Sequence, residues 1–270
     1  MSKIVVENLT VDYGEKSQRI TALEDVNFSV KAGEFVSVIG SSGCGKSTLL
    51  SVLEGIRPPT GGTISIDGEP INGTGTDRGV VFQHYSLFPW MTARKNVAFG
   101  VKQVNKGLAK AERLRIADEF LEKVGLENFK HKYPSQLSGG MQQRVAIARA
   151  LAMDTDILLM DEPFGAIDAK NRTILQELLL ELWEGDGTQE KKTVVFVTHD
   201  IDEAILLSDR IIMMSPHPGR VVQEIHVPFD RPRVRSELVQ TQDYGKFRNE
   251  LMALFYKDIA DKIGGSEVVL

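Results

Sequence analysis

The stretch "EFVSVIGSSGCGKS", Glu34–Ser47, decides the fold. Its first half, Glu34–Gly40, is a continuous β-rich run of the kind buried on both faces of a parallel sheet. From Gly40 the chain matches G-x-x-x-x-G-K-[S/T] in full, and the apolar-periodic "STLLSVLEGI" that follows reads as a helix. Strand, glycine-rich loop and helix start form the context in which this motif holds phosphate. Gly40, Gly43 and Gly45 let the backbone curl so that its N–H groups converge on phosphate oxygens, and the helix start adds a favourable dipole end. Ser41, Ser42, Cys44 and Thr48 belong to the same loop and first turn and count among the nucleotide-binding candidates. Lys46 places a positive charge on the β- and γ-phosphates, and the Ser47 hydroxyl is a Mg²⁺ ligand.

Outward from this centre, "KIVVENLTVDYG" and "ALEDVNFSVKAGE" read as antiparallel strands. "PPTGGTISIDGEPI" reads as a turn and a strand that rejoins them, and "GVVFQ" (Gly79–Gln83) as a further buried strand. From His84 to about Asp154 the texture is helical, with charges interleaved at helical spacing in "LAKAERLRIADEFLEKVGL". β texture returns with "DILLMDEP" and "KTVVFVTHD", separated by the amphipathic "AKNRTILQELLLELWE". "RIIMMS" and "RVVQEIHV" complete the strands, and residues 227–270 read as a polar stretch followed by a helix. The sum is an α/β protein in which helices interrupt a βαβ core and antiparallel strands decorate it.

A phosphate loop needs an acidic partner at another strand's end. "ILLMDE" supplies it: apolar residues place Asp161 at a strand's C-terminal edge as a Mg²⁺ ligand, and Glu162 follows, suited to deprotonate an attacking water. Taken alone, an apolar strand ending in Asp-Glu is commonplace; behind a complete phosphate loop it reads as machinery. His199 follows the next β-rich run and is expected at the same edge, donating a hydrogen bond to the γ-phosphate. The remaining histidines, His84, His131, His217 and His226, show no metal-ligand spacing.

Composition excludes several classes. No apolar stretch approaches a membrane span, and "MSKIVVENLT" lacks signal-peptide architecture, so a cytoplasmic chain is expected. The single cysteine, Cys44, precludes an internal disulfide. A net charge of −5 gives no reason to expect nucleic acid as a partner, and "RPRVR" (Arg231–Arg235) reads as solvated surface.

A second anion-receptive helix start, "LSGGMQQR" (Leu137–Arg144), stands far downstream, with Ser138 as N-cap and Gly139 and Gly140 in its first turn. With it the chain resembles the nucleotide-binding subunit of ATP-binding cassette (ABC) transporters from about Ile4 to Ile225, the motifs standing in the family's order. The resemblance implies a P-loop NTPase (RecA-like) core with a parallel sheet, an antiparallel β-subdomain and an α-helical subdomain inserted at about 84–154. On this division 1–226 form the cassette and 227–270 a C-terminal helical extension. The resemblance also implies that Gln83 contacts the metal and γ-phosphate, that "GAID" places Asp168 at a dimer interface, and that Tyr13 stacks on adenine. Ser138, Gly139 and Gly140 would complete the site held by another copy's phosphate loop. Met141 and Gly165 depart from the commoner family residues, and neither is assigned a nucleotide contact.

The implied partners are a second copy of the chain, a membrane permease docking at "HYSLFPWMTARKNVAFG", and an extracytoplasmic solute-binding protein acting through that permease. The chain would lie peripherally on the cytoplasmic side of the inner membrane. "EPFGAIDA" and "SPHPGRVVQEI" resemble the subgroup that imports nitrate, sulfonate and taurine-type solutes. The alternative is a soluble ABC ATPase acting on nucleic acid or ribosomes, which generally carries paired cassettes or long coiled-coil insertions. A GTPase would carry N-K-x-D, which is absent from the sequence. Because Cys44 lies in the loop, its alkylation is expected to block activity and MgATP to protect it.

Overall fold

A computed structural model of the chain describes residues 2–14, 19–184, 191–216 and 218–263; His217 and most of the "GDGTQEKK" connection lie outside the described residues. The chain divides into two units, Met1–Gly73 with Phe196–Leu270, and Thr74–Val195.

In the first unit, β1 (Ser2–Tyr13) pairs antiparallel with β2 (Ile20–Lys31). The buried phase of β1 breaks between Val6 and Leu9, where the register shifts and Asn8 turns to φ 49°. That bulge returns Leu9 and Val11 to the apolar face. Every residue of β3 (Phe35–Gly40) is buried, including Ser37, whose hydroxyl hydrogen-bonds that of Ser208. It delivers the chain into α1 (Lys46–Leu53). β4 (Gly61–Ile66) and β5 (Glu69–Pro70) extend the antiparallel sheet in the order β2-β1-β4-β5.

The second unit holds β6 (Arg78–Val81), α2 (Ala93–Val104), α3 (Lys110–Lys123), α4 (Gly139–Ala152), β7 (Ile157–Asp161) and α5 (Ala169–Glu184). β6 and β7 run parallel. A Cβ on Gly100 of α2 would meet Arg149 Cγ of α4 at 2.9 Å, so the glycine permits that close helix approach. β8 (Thr193–Val197) carries the chain onward. At its head Thr193 N donates to Asp156 O (2.8 Å), and beyond its end Thr198 N donates to Val38 O (3.2 Å).

The rest of the first unit is α6 (Ile201–Leu207), β9 (Arg210–Ser215), β10 (Arg220–His226), α7 (Arg235–Leu238) and α8 (Gln242–Ile263). β9 runs parallel to β3 and antiparallel to β10. Tyr244 and Leu251 of α8 share a buried cluster with Ile39, Ile205 and Ile211, so the C-terminal segment contributes to this unit's core.

"RPRVR" is not solvated surface. Arg233 is buried and donates to the carbonyls of Ile205, Leu206 and Ser208 and to Phe229 O. Arg231 pairs with Asp209 and donates to Leu207 O. Helix C-termini leave carbonyls unsatisfied, and these guanidinium groups supply donors for the end of α6.

Candidate functional site

The phosphate loop is curled by Gly43 at φ 80° and Gly45 at φ 90°, left-handed values that glycine adopts without strain. Gly45 is the N-cap of α1 and makes no side-chain cap, which leaves the first-turn amides of the helix for an incoming anion. A Cβ on Gly45 would lie 2.4 Å from Leu23 Cδ2, so the loop is packed as well as turned. At the other end, a Cβ on Gly40 would meet Cys44 Sγ at 2.5 Å and Met214 O at 2.6 Å.

Lys46 is 7% exposed, and its ammonium donates to Gly40 O at 2.8 Å and Ser41 O at 3.1 Å. Its third partner is the Cys44 thiol at 3.8 Å, whose pKa burial pushes up, so all three are neutral. A nearly buried cation satisfied by neutral groups is prepared for an anion that compensates its charge. Within the same loop Ser41 Oγ is buried without a hydrogen-bond partner, a further orphaned group that a phosphate oxygen would satisfy. Ser42 and Ser47 are exposed.

Beside α1 lies a cavity of about 380 Å³ lined by Tyr13, Ser47, Thr48, Ser51, Ile56, Arg57 and Pro58. Tyr13, at the end of β1, shares a hydrogen bond with Thr48 Oγ1 (3.1 Å). The Arg57 guanidinium stands 4.0 Å from the centre of the Tyr13 ring. Sequence reasoning missed Arg57, because an arginine before Pro58 and Pro59 reads as ordinary turn surface. His199 is exposed in the bend between β8 and α6, two residues past the strand's end.

In the second unit Asp161 ends β7 and Glu162 takes φ 43°, a left-handed value that costs a non-glycine residue energy. Gln83 Nε2 lies 3.5 Å from Glu162 Oε2, at the outer limit of hydrogen bonding. The turn after Glu162 is closed by Gly165 N donating to Glu162 O (3.1 Å) and anchored by buried Phe164 and Ile167. Asp168 accepts from the backbone and side-chain nitrogens of Asn171 at 3.1 and 2.6 Å, which hold its carboxyl below the usual range.

Ser138 Oγ accepts from Met141 N (3.3 Å) and caps α4, which is where Met141 enters the motif's local structure. A Cβ on Gly139 would meet the Tyr85 hydroxyl at 2.5 Å. The loop that carries Gln83 rests on the same helix. Gln143 Nε2 donates to Phe82 O (3.4 Å) and Arg149 Nη1 to Ser86 O (2.8 Å). These supports were invisible in the sequence, where the motif drew attention to Ser138, Gly139 and Gly140 and nothing tied Gln143 or Arg149 to the loop after β6.

The aromatic stretch after Gln83 divides. Phe88 packs edge-on against Phe99 at 4.7 Å, while Trp90 is 69% exposed. Buried Asn96 shapes the loop between them by donating to the carbonyls of Phe88, Met91 and Thr92 and accepting from Phe88 N.

Ser47 and Asp161 offer hard oxygen donors, the kind Mg²⁺ takes. Among the described residues, which exclude His217, no group of three or more His, Cys, Asp or Glu could hold a metal ion.

The ABC transporter family model matches residues 23–165, which contain the phosphate loop, Gln83, the α4 start and the Asp161–Glu162 pair. The chain belongs to the ABC transporter family. The nitrate import ATP-binding protein of Synechococcus elongatus is 50% identical over 240 residues, covering 88% of this chain and 86% of that protein. The taurine import ATP-binding protein of Roseobacter denitrificans is 42% identical over 271 residues, covering 99% of each. A solved dimeric ATP-binding cassette in a post-hydrolysis state, bound to ADP and Pi, superposes with a TM-score of 0.76 at 39% identity, covering 84% of this chain and all of that one. This member of the family is a nucleotide-binding ATPase with the P-loop NTPase fold. The relatives do not favour a soluble ABC ATPase acting on nucleic acid or ribosomes. Among its described residues no helix is long and apolar enough to cross a membrane.

Proposed function

We propose that this ABC ATPase powers uptake of a small anionic solute, hydrolysing ATP as a homodimer on the cytoplasmic face of the inner membrane. A permease would carry the solute, delivered by an extracytoplasmic binding protein. The observation that carries the nucleotide half of the reading is the phosphate loop, in which nearly buried Lys46 has neutral partners and Ser41 Oγ has none. The import half is supported by relatives named for nitrate and taurine, small solutes that each bear an oxyanion. Trp90 is a suitable permease contact, because its indole meets the Phe88 ring at 5.6 Å on one side and is otherwise largely exposed.

On this reading the loop amides from Gly40 to Thr48 grip the phosphates and Lys46 exchanges its carbonyl partners for the β- and γ-phosphate oxygens. Tyr13 offers the adenine a stacking surface that Arg57 covers meanwhile. Ser47, Asp161 and Gln83 would hold Mg²⁺, which supplies positive charge against the phosphates. Glu162 takes a proton from the water that attacks the γ-phosphate, and His199 donates a hydrogen bond to the charge developing there. Ser138, Gly139 and Gly140 serve the γ-phosphate in the partner copy's loop, and Asp168 lies at that interface.

The test is Glu162→Gln, which keeps the side chain's size and removes its basicity. The variant should bind ATP with near-native affinity, lose turnover by about a hundredfold or more, and accumulate as an ATP-bound dimer in size-exclusion chromatography. Native turnover in this variant would refute Glu162 as the base.

A further inference from the structure

The segment after β10 grips α6 at both ends. At the C-terminal end, buried Arg233 donates to the carbonyls of Ile205, Leu206 and Ser208, and Arg231 to that of Leu207. At the N-terminal end, Asp202 in the first turn of α6 receives Arg248 Nε at 2.7 Å, Arg248 Nη2 at 3.3 Å and the Tyr244 hydroxyl at 2.5 Å, all from α8. Tyr244 is 6% exposed and belongs to the apolar cluster, while Asp202 and Arg248 are partly exposed beside it, their side chains 37% and 39% open to solvent. At the same N-terminal end, Asp200 caps α6 by accepting from Glu203 N (3.1 Å), and Thr198 Oγ1 donates to Glu203 Oε2 (2.7 Å). His199 stands between Thr198 and Asp200. Its backbone is therefore flanked on both sides by residues tied to the first turn of α6.

We propose that Arg248 and Tyr244 are positioning residues for His199: the C-terminal helix holds α6, and α6 sets where the imidazole is presented. The proposal rests on the reading of His199 as a γ-phosphate contact. His199 lies in a short bend whose flanking residues are tied to each other and to α6, so the elements that bound the bend set the backbone position from which the imidazole is presented. Arg233 and Arg231 alone would leave the N-terminal turn of α6, the end nearer the histidine, without support from this segment.

The experiment uses the full chain and the ATPase kinetics of Arg248→Ala, Arg248→Lys, His199→Ala and the Arg248→Ala/His199→Ala pair. Arg248→Ala should lower kcat by about three- to tenfold with KM changed less than about twofold, and Arg248→Lys should restore part of the loss. In the His199→Ala background, Arg248→Ala should cost nothing further, because the group it positions is gone. An equal loss in both backgrounds would overturn the proposal. A second readout is independent of turnover: amide hydrogen exchange over residues 199–207 should accelerate by about tenfold or more in Arg248→Ala while β3 and β9 stay protected. Unchanged exchange there would also overturn it. Faster exchange together with native turnover in His199→Ala would instead keep the clamp and sink the reading of His199.

Discussion

The Cys44 thiol is fully buried, 3.8 Å from Lys46 Nζ and packed so closely on Gly40 that a methyl group there would meet its sulfur. Burial pushes the thiol's pKa up, and the nearby ammonium only partly opposes this. Both facts work against alkylation, which needs an exposed thiolate. The expectation drawn from the sequence, that MgATP would shield a reactive Cys44, is corrected accordingly. N-ethylmaleimide at neutral pH should label the native chain at least about tenfold more slowly than the unfolded chain, and MgATP should add little. Rapid native labelling that nucleotide suppresses, followed by mass spectrometry, would contradict this burial. Position in a motif says which residues neighbour a phosphate; it does not say which side chains face it. In this loop the Cys44 and Lys46 side chains are buried while Ser42 and Ser47 are exposed.

Elements with their own punctuation were legible, and elements held by distant partners were not. The start of α4 could be read because Ser138 is an N-cap by composition, and its hydroxyl accepts from Met141 N. β3 and β7 could be read from β-rich runs, apolar but for Ser37, that end at glycine and aspartate. By contrast α2 carries Gly100, which weakens the local helix signal, and the reason for that glycine is Arg149 on another helix. α6 is only seven residues long and depends on caps from Arg233 and a contact from Arg248, both remote in sequence. The latter contact has a pH signature. Burial alone would raise the Asp202 carboxyl, but hydrogen bonds from Arg248 and Tyr244, with the charges of Arg248 and Arg235, outweigh it and hold the pKa below the ordinary value. A carboxyl lowered in the folded state contributes stability that is fully present above its unfolded pKa. That contribution is lost as the pH falls through the folded value, below about pH 4. Urea denaturation should therefore show Arg248→Ala less stable than wild type at pH 7, with the gap closing toward pH 3. A gap of constant size across that range would mean that Asp202 is not the partner whose charge matters.

At the scale of the molecule, two helix starts suited to anions stand in one chain, Gly45 before α1 and Ser138 before α4, in different units. One offers uncapped first-turn amides, and the other carries a small hydroxyl and glycines in its first turn. A single-chain sequence displays both without saying whether they serve one phosphate in the same copy or in two. The proposed composite site makes a distinct prediction for mixed dimers of Lys46→Ala and Ser138→Arg. Lys46→Ala removes the cation at the phosphate loop, and Ser138→Arg obstructs the α4 start, so each homodimer should be inactive. Loss of the Ser138 cap costs only about 1 kcal/mol, well within the stability of an ordinary domain, so the second variant should still fold and dimerise. In the mixed dimer both lesions fall in one composite site, while the other combines an intact phosphate loop with an intact α4 start. ATPase activity should return in verified mixed dimers and follow their fraction as the two variants are titrated together. Complete inactivity of those dimers would assign each phosphate loop to its own chain.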